Sequence, residues 1–236
     1  VLDMCSAPGG KTSQVANKIG ENGVLVSNEV ISSRAKILTG NVERLGLKNV
    51  IVTCMDTEKL AKKFPKKFDL VIVDAPCSGE GMFRRDEIAI KEWSEQNVET
   101  SKNRQKDILD NAVLCVKDGG YILYSTCTFS LEENEKQVIS FIDSHPNFEL
   151  ISVSDKVKLN TESGITYDDN LQIDLSKTRR FYPHKNRGEG QFMALFHNTV
   201  DSENTPKREK LMEKPKKEVY DFLDSTLMDY KRENVK

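Results

Sequence analysis

The chain has 236 residues, 37% of them apolar and 31% charged, with a formal net charge of -2. Those proportions suit one globular core with a polar tail and exclude a collagen-like or wholly disordered chain. No apolar stretch approaches the roughly 20 residues of a membrane helix, and global charge says nothing of a nucleic-acid partner, which must be argued from local patches.

Taken in chain order, apolar runs alternate with helical patterns. Val1–Met4, Val24–Val26, Val50–Cys54, Phe68–Val73 and Tyr121–Tyr124 are rich in β-branched or aromatic residues and read as strands buried on both faces. Thr12–Ile19, Ser32–Leu45, Val98–Val116 and Leu131–Ser144 repeat apolar residues at three and four positions and read as helices. Alternation of this kind predicts an α/β, Rossmann-like, mainly parallel doubly wound sheet with right-handed crossovers. Ser130 and Glu133 have the spacing of a capping box, which would start the last helix just after Cys127. Val1 already lies in a strand and is not methionine, so the expectation is a longer natural chain. After Phe196 the sequence turns to Asp201-Ser202-Glu203-Asn204-Thr205-Pro206 and then to Lys- and Glu-rich residues. Residues 1–197 therefore read as one folded domain, and 198–236 as a charged linker with an amphipathic helix face of Val219, Phe222, Leu223, Leu227 and Tyr230.

The turn Cys5-Ser6-Ala7-Pro8-Gly9-Gly10-Lys11 joins the first strand to the first helix, and its adjacent glycines let backbone amides approach a ligand at a helix N-terminus. Glu29 stands about 20 residues further on at the end of the second strand, where an acid takes ribose hydroxyls. Asp3, Asp56 and Asp74 end the first, third and fourth strands in the same way. The loop lacks the spacing of a nucleotide triphosphatase and of a dehydrogenase, whereas S-adenosylmethionine suits it. Its carboxylate would meet the loop amides and Lys11, its ribose Glu29 and its adenine Asp56, with carboxylates near the sulfonium.

Five cysteines stand at positions 5, 54, 77, 115 and 127, without the paired spacing of a zinc site, so no metal is expected and a reducing, cytoplasmic compartment is. Cys77 and Cys127 each stand where a buried strand stops, facing the crevice in which such sheets bind ligands. Cys5, Cys54 and Cys115 read as loop or core thiols. His145, His197 and Trp93 fit helix-end, strand or packing roles.

The segments Asp3-Met4-Cys5-Ser6-Ala7-Pro8-Gly9-Gly10-Lys11-Thr12, Asp74-Ala75-Pro76-Cys77-Ser78-Gly79-Glu80-Gly81 and Tyr124-Ser125-Thr126-Cys127-Thr128 resemble the cofactor, proline-cysteine and threonine-cysteine motifs of the Nop/Sun family of RNA (cytosine-5)-methyltransferases. Met82-Phe83-Arg84-Arg85-Asp86 and Gly188-Glu189-Gly190-Gln191-Phe192 are similar to its RsmF-like bacterial branch, although Gln191 stands where a second aromatic is expected. The resemblance implies a class I methyltransferase fold and transfer of a methyl from S-adenosylmethionine to carbon 5 of a cytosine in structured RNA, 16S ribosomal RNA first. It also implies an RNA-binding segment upstream of the first strand and a further domain after the tail. Cys127 would be the nucleophile, Cys77 the agent of release, and Asp74, protonated, a hydrogen-bond donor near ring nitrogen 3. Two basic stretches are the expected RNA surface: Arg84-Arg85, and Lys177, Arg179, Arg180, His184, Lys185 and Arg187 among Phe181 and Tyr182. A monomer is expected. The rivals are the same chemistry on transfer RNA, a non-catalytic RNA-binding ribosome assembly factor, and a small-molecule or DNA methyltransferase.

Overall fold

The computed structural model describes residues 1–20, 23–153, 161–168, 170–201 and 217–226. The chain divides into two compact units, Val1–Ser202 and Glu203–Lys236. In the second unit one helix is described, Lys217–Thr226, and its expected apolar stripe lies outside the described side chains.

The first unit begins with β1 (Leu2–Asp3), α1 (Gly10–Ile19), β2 (Leu25–Asn28), α2 (Ser32–Arg44), β3 (Val50–Thr53), α3 (Thr57–Lys63) and β4 (Phe68–Asp74). It continues through α4 (Glu87–Glu92), α5 (Glu95–Cys115), β5 (Val116–Thr126), α6 (Glu135–Ser144), β6 (Phe148–Ile151), β7 (Glu162–Ser163), β8 (Arg179–Phe181) and β9 (Gln191–Asn198). The sheet order is β3-β2-β1-β4-β5-β9-β8-β7, with β6 also paired to β9. β1 to β5 run parallel, so their carboxyl ends share one edge; β9 lies antiparallel on β5. This is the Rossmann-like arrangement that the strand and helix alternation predicts.

The core gathers where the pattern is most apolar. Val71, Ile72 and Val73 of β4 and Ile122 and Tyr124 of β5 are buried, and Ile108, Leu109, Ala112 and Cys115 of α5 share one core with all of these but Ile72. That α5 stripe recurs at three and four residues, so one helix face covers the sheet while the other stays polar. Ser94 accepts the Asn97 amide and starts α5 at Glu95, ahead of the expected Val98. Three expectations need correction. β3 is not buried on both faces, because it is the outer strand, and Ile51 is exposed. For the same reason Cys54 is an exposed thiol and not a core one. The Ser130 capping box does not form: α6 starts at Glu135 after Asn134, and Glu133 is drawn into a buried network.

Candidate active site

Parallel strands deliver their last residues to one edge, and there the chain assembles three turns. The first follows β1. Gly9 has φ 108°, a left-handed conformation that favours glycine, and a Cβ there would meet Leu38 at 3.0 Å. This turn lines a cavity of about 280 Å³ with Asp3, Cys5, Ser6, Ala7, Pro8, Gly10, Lys11 and Asp74. Asp3 Oδ2 accepts the Thr12 hydroxyl at 2.9 Å, whereas among the described residues the buried Oδ1 has no hydrogen-bond partner. Burial, opposed by that hydroxyl and reinforced by Asp74, pushes the Asp3 carboxyl up to about 6. An orphaned acceptor beside a glycine turn fits the ammonium of an amino-acid group, and the Gly10 end of α1 fits its carboxylate. Glu29, nearly fully buried, accepts the Ile31 amide at 2.9 Å and pairs with Arg34 at 3.5 Å. Asp56 stands at the N-terminus of α3, where it accepts the Lys59 amide at 2.8 Å. These residues fit S-adenosylmethionine, with Asp3 added to the expected set. Lys11 lines the same cavity, and its ammonium donates to Asp74 Oδ2 at 2.7 Å.

The second and third turns carry the thiols. Cys77 Sγ and Cys127 Sγ lie 3.2 Å apart, and the Cys127 amide donates to Cys77 Sγ at 3.3 Å. A hydrogen bond from the Cys77 thiol and the charge of Lys11 hold Cys127 below the ordinary thiol range, against burial and Asp74. The same contact and burial push Cys77 well up. Cys127 is therefore the more acidic thiol of the pair and Cys77 the less acidic. Burial alone holds the core thiol Cys115 at about 11, so the contrast between the two active thiols arises from their mutual contact.

Asp74 ends β4 beside Ser125 of β5 and accepts the Ser125 hydroxyl on Oδ1 at 2.7 Å. Gln191 Nε2 reaches the same oxygen at 3.3 Å. With Lys11 on Oδ2, three donors surround a group expected to be protonated; the set suits a carboxylate instead. Gln191, which departs from the motif the chain resembles, thus reaches a proposed catalytic group.

Behind the thiols lies a buried frame. Glu133 accepts the Ser78 amide at 3.0 Å and the Gln105 amide at 2.7 Å, and it takes the Ser78 hydroxyl as well. Ser78 and Thr128 join at 2.9 Å, and the Tyr124 hydroxyl donates to the Glu133 carbonyl at 2.6 Å. Glu80 accepts the Phe129 amide at 2.8 Å and the Thr128 hydroxyl at 3.1 Å. Gly81 donates to the Cys127 carbonyl at 2.8 Å and accepts from Gly190 at 3.2 Å. Spacing cannot reveal this frame, because its members lie up to 109 positions apart in Gly81 and Gly190.

The expected RNA residues fall into two groups. Arg84, Arg85, His184 and Lys185 are exposed, and Arg179 is half-buried with its guanidinium on Thr161. Arg180 is corrected: it is 2% exposed, paired with Glu135 and bonded to the Phe129 carbonyl at 3.0 Å. It holds the turn after Cys127 and has no free face for a phosphate.

A family model described as 16S rRNA methyltransferase RsmB/F matches residues 1–197. The chain is 36% identical over 210 residues to ribosomal RNA small subunit methyltransferase F of Vibrio parahaemolyticus, covering 88% of this chain and 42% of that protein. The protein of the same name from Erwinia tasmaniensis is 34% identical over 194 residues, covering 82% and 39%. The chain thus spans about two fifths of these curated relatives. Among solved structures, NSun6 from Pyrococcus horikoshii with SFG superposes with a TM-score of 0.66 at 30% identity, over 85% of this chain and 48% of that one. A methyltransferase homologue from the same organism gives 0.69 at 28%, over 84% and 60%.

Proposed function

The chain belongs to the 16S rRNA methyltransferase RsmB/F family, and from that premise we propose that it transfers a methyl from S-adenosylmethionine to carbon 5 of a cytosine in small-subunit ribosomal RNA. One observation carries the reading: two thiols 3.2 Å apart at the ends of neighbouring strands, with Asp74 at the end of one of them. Carbon 5 of cytosine is too weak a nucleophile unless the ring is first activated, and a thiolate adding at carbon 6 does that. The Cys127 lone pair forms the carbon-sulfur bond while the π pair of the 5,6 double bond moves onto carbon 5. Asp74 stands against ring nitrogen 3 and passes it a proton drawn from the Lys11 ammonium at 2.7 Å, offsetting the charge of addition. Asp3, the Gly9-Gly10 turn and Glu29 would hold S-adenosylmethionine, which would supply an electrophilic methyl for the pair on carbon 5 and keep the sulfonium electrons as a thioether. Once Cys127 is bonded to carbon 6 it no longer accepts from Cys77; the Cys77 thiol then gives its proton to solvent water, and the resulting thiolate takes the proton from carbon 5. The pair from that bond restores the double bond and expels Cys127 as a thiolate, while nitrogen 3 returns its proton through Asp74 to the Lys11 amine.

The target base must leave its stack to reach both sulfurs, so a loop or single-stranded RNA is the substrate form. Arg84, Arg85, Arg179, His184 and Lys185 supply its phosphate contacts, and the cytoplasm, where ribosomal RNA and reduced thiols coexist, is its compartment. The test is methyl transfer from labelled cofactor to transcripts of 16S and transfer RNA, with digestion to nucleosides. Labelled 5-methylcytidine from the 16S transcript is expected; label only in transfer RNA moves the substrate, and none in either removes the activity.

A further inference from the structure

A recess near the thiols shares Glu80, Gly81 and Phe129 with the buried frame and has no part in the chemistry proposed above. It measures about 460 Å³ and is walled by Phe83, Trp93, Phe129 and Pro183, with Glu80 and Arg84 at its rim. We infer that this pocket receives an unstacked nucleobase of the RNA strand beside the target cytosine, with Trp93 as its stacking surface. The inference rests on the function proposed above.

Its position supports the assignment. Gly81, also in the wall, donates to the Cys127 carbonyl, and Phe129 lies two residues beyond Cys127. A strand that delivers a base to Cys127 must pass this wall. The chemistry supports it as well. Trp93 is 38% exposed, and its indole N–H donates to Glu80 Oε1 at 3.0 Å, which leaves the ring as the group it offers. The other Glu80 oxygen accepts from Thr128 and Phe129, so one carboxylate ties the indole to the Cys127 turn. Phe129 stacks on Tyr182 at 5.6 Å, and Tyr182 on His184 at 5.4 Å, which extends a ladder of rings from the pocket to the exposed His184 and Lys185. Arg84, with its side chain 59% exposed, and the exposed Arg85 complement the phosphates of a strand whose bases lie on those rings. Ring surface interleaved with guanidinium groups fits a nucleic-acid strand, since every base presents a π-face.

Trp93 is the chain's only tryptophan, so its fluorescence reports this pocket alone. A short single-stranded oligoribonucleotide with one cytosine is titrated into the unmodified protein, against the same oligomer carrying abasic riboses on both sides of the cytosine. The intact oligomer should quench Trp93, and the abasic one should bind at least about ten-fold more weakly without quenching. With the 16S transcript as methyl acceptor, Trp93→Ala should raise KM by about ten-fold with kcat little changed, and Trp93→Phe should retain most of the affinity. Equal quenching and affinity for the two oligomers, or an unchanged KM for Trp93→Ala, would overturn the subsite. Absence of methyl transfer by the unmodified protein speaks against the proposed function instead, and the quenching comparison still judges the pocket.

Discussion

Cys127 carries the low-pKa role because Cys77 donates to it. Removing that donor leaves Lys11 to offset burial and Asp74, so the thiolate loses its largest support. In Cys77→Ala the pH midpoint for iodoacetamide alkylation of Cys127 should rise, toward or beyond the ordinary thiol value of about 8.5. A midpoint that stays put would place the source of acidity elsewhere. Asp3 makes the opposite bargain. Its folded carboxyl lies at about 6 against an ordinary 3.8, so the folded state binds the extra proton between those values. Stability from this group is therefore lost as pH rises through 6, and at pH 7.5 the buried charge costs about 3 kcal/mol. Asp3→Asn should raise the melting temperature at pH 7.5, with a smaller gain near pH 4, and weaken S-adenosylmethionine binding measured by calorimetry. Both thiols, the glycine turn and Glu29 are legible in sequence because strand ends announce themselves. Gln191 and the unpaired oxygen of Asp3 are not, since their meaning depends on a neighbour brought in by the fold.

At the scale of elements, the site is a junction of turns, held together by contacts too close for side chains to intervene. A Cβ on Gly81 would stand 2.7 Å from both the Cys127 and Gly190 carbonyl oxygens. Gly81→Ala must push the β5 turn away from the β4 turn; we expect a loss of about 1–3 kcal/mol in denaturant unfolding and a far larger fall in methyl transfer. Activity that survives intact would mean that the turns are free to separate. The ion pair of Arg180 with Glu135 works on the same turn from the other side. Arg180→Met leaves a buried carboxylate unpaired and should cost about 3–5 kcal/mol, with the salt dependence of RNA binding unchanged. A selective loss of RNA affinity, with stability intact, would restore the phosphate-binding reading of a basic stretch. That reading failed because a run of charges is silent about which member points inward. The capping box misled for a related reason: Ser130 and Glu133 have the right spacing, but Ser78 and Gln105 compete for the same carboxylate. α3 and α4, at seven and six residues, are too short for their periodicity to be read.

For the molecule as a whole, the parallel half of the sheet follows from the alternation of apolar runs and helical stripes. The antiparallel half does not. β9 alternates buried and half-buried residues, and its partners β6 and β8 have only four and three residues. Yet β9 is what carries Gln191, and Gly190 just before it, to the site, pairing Phe192 with Thr126 of β5 one residue before the proposed nucleophile. A net charge near zero gives this chain little long-range attraction for RNA, so the proposed RNA contacts rest on the Arg84-Arg85 and His184-Lys185 patches and the rings between them. The central claim is the division of labour between the two sulfurs, and covalent trapping tests it. Cys77→Ala, Cys127→Ala and the double variant are incubated with S-adenosylmethionine and a 16S transcript, then run on denaturing gels. Cys77→Ala should accumulate a protein-RNA adduct that is absent from both variants lacking Cys127; an adduct formed without Cys127 would contradict the assignment of the nucleophile.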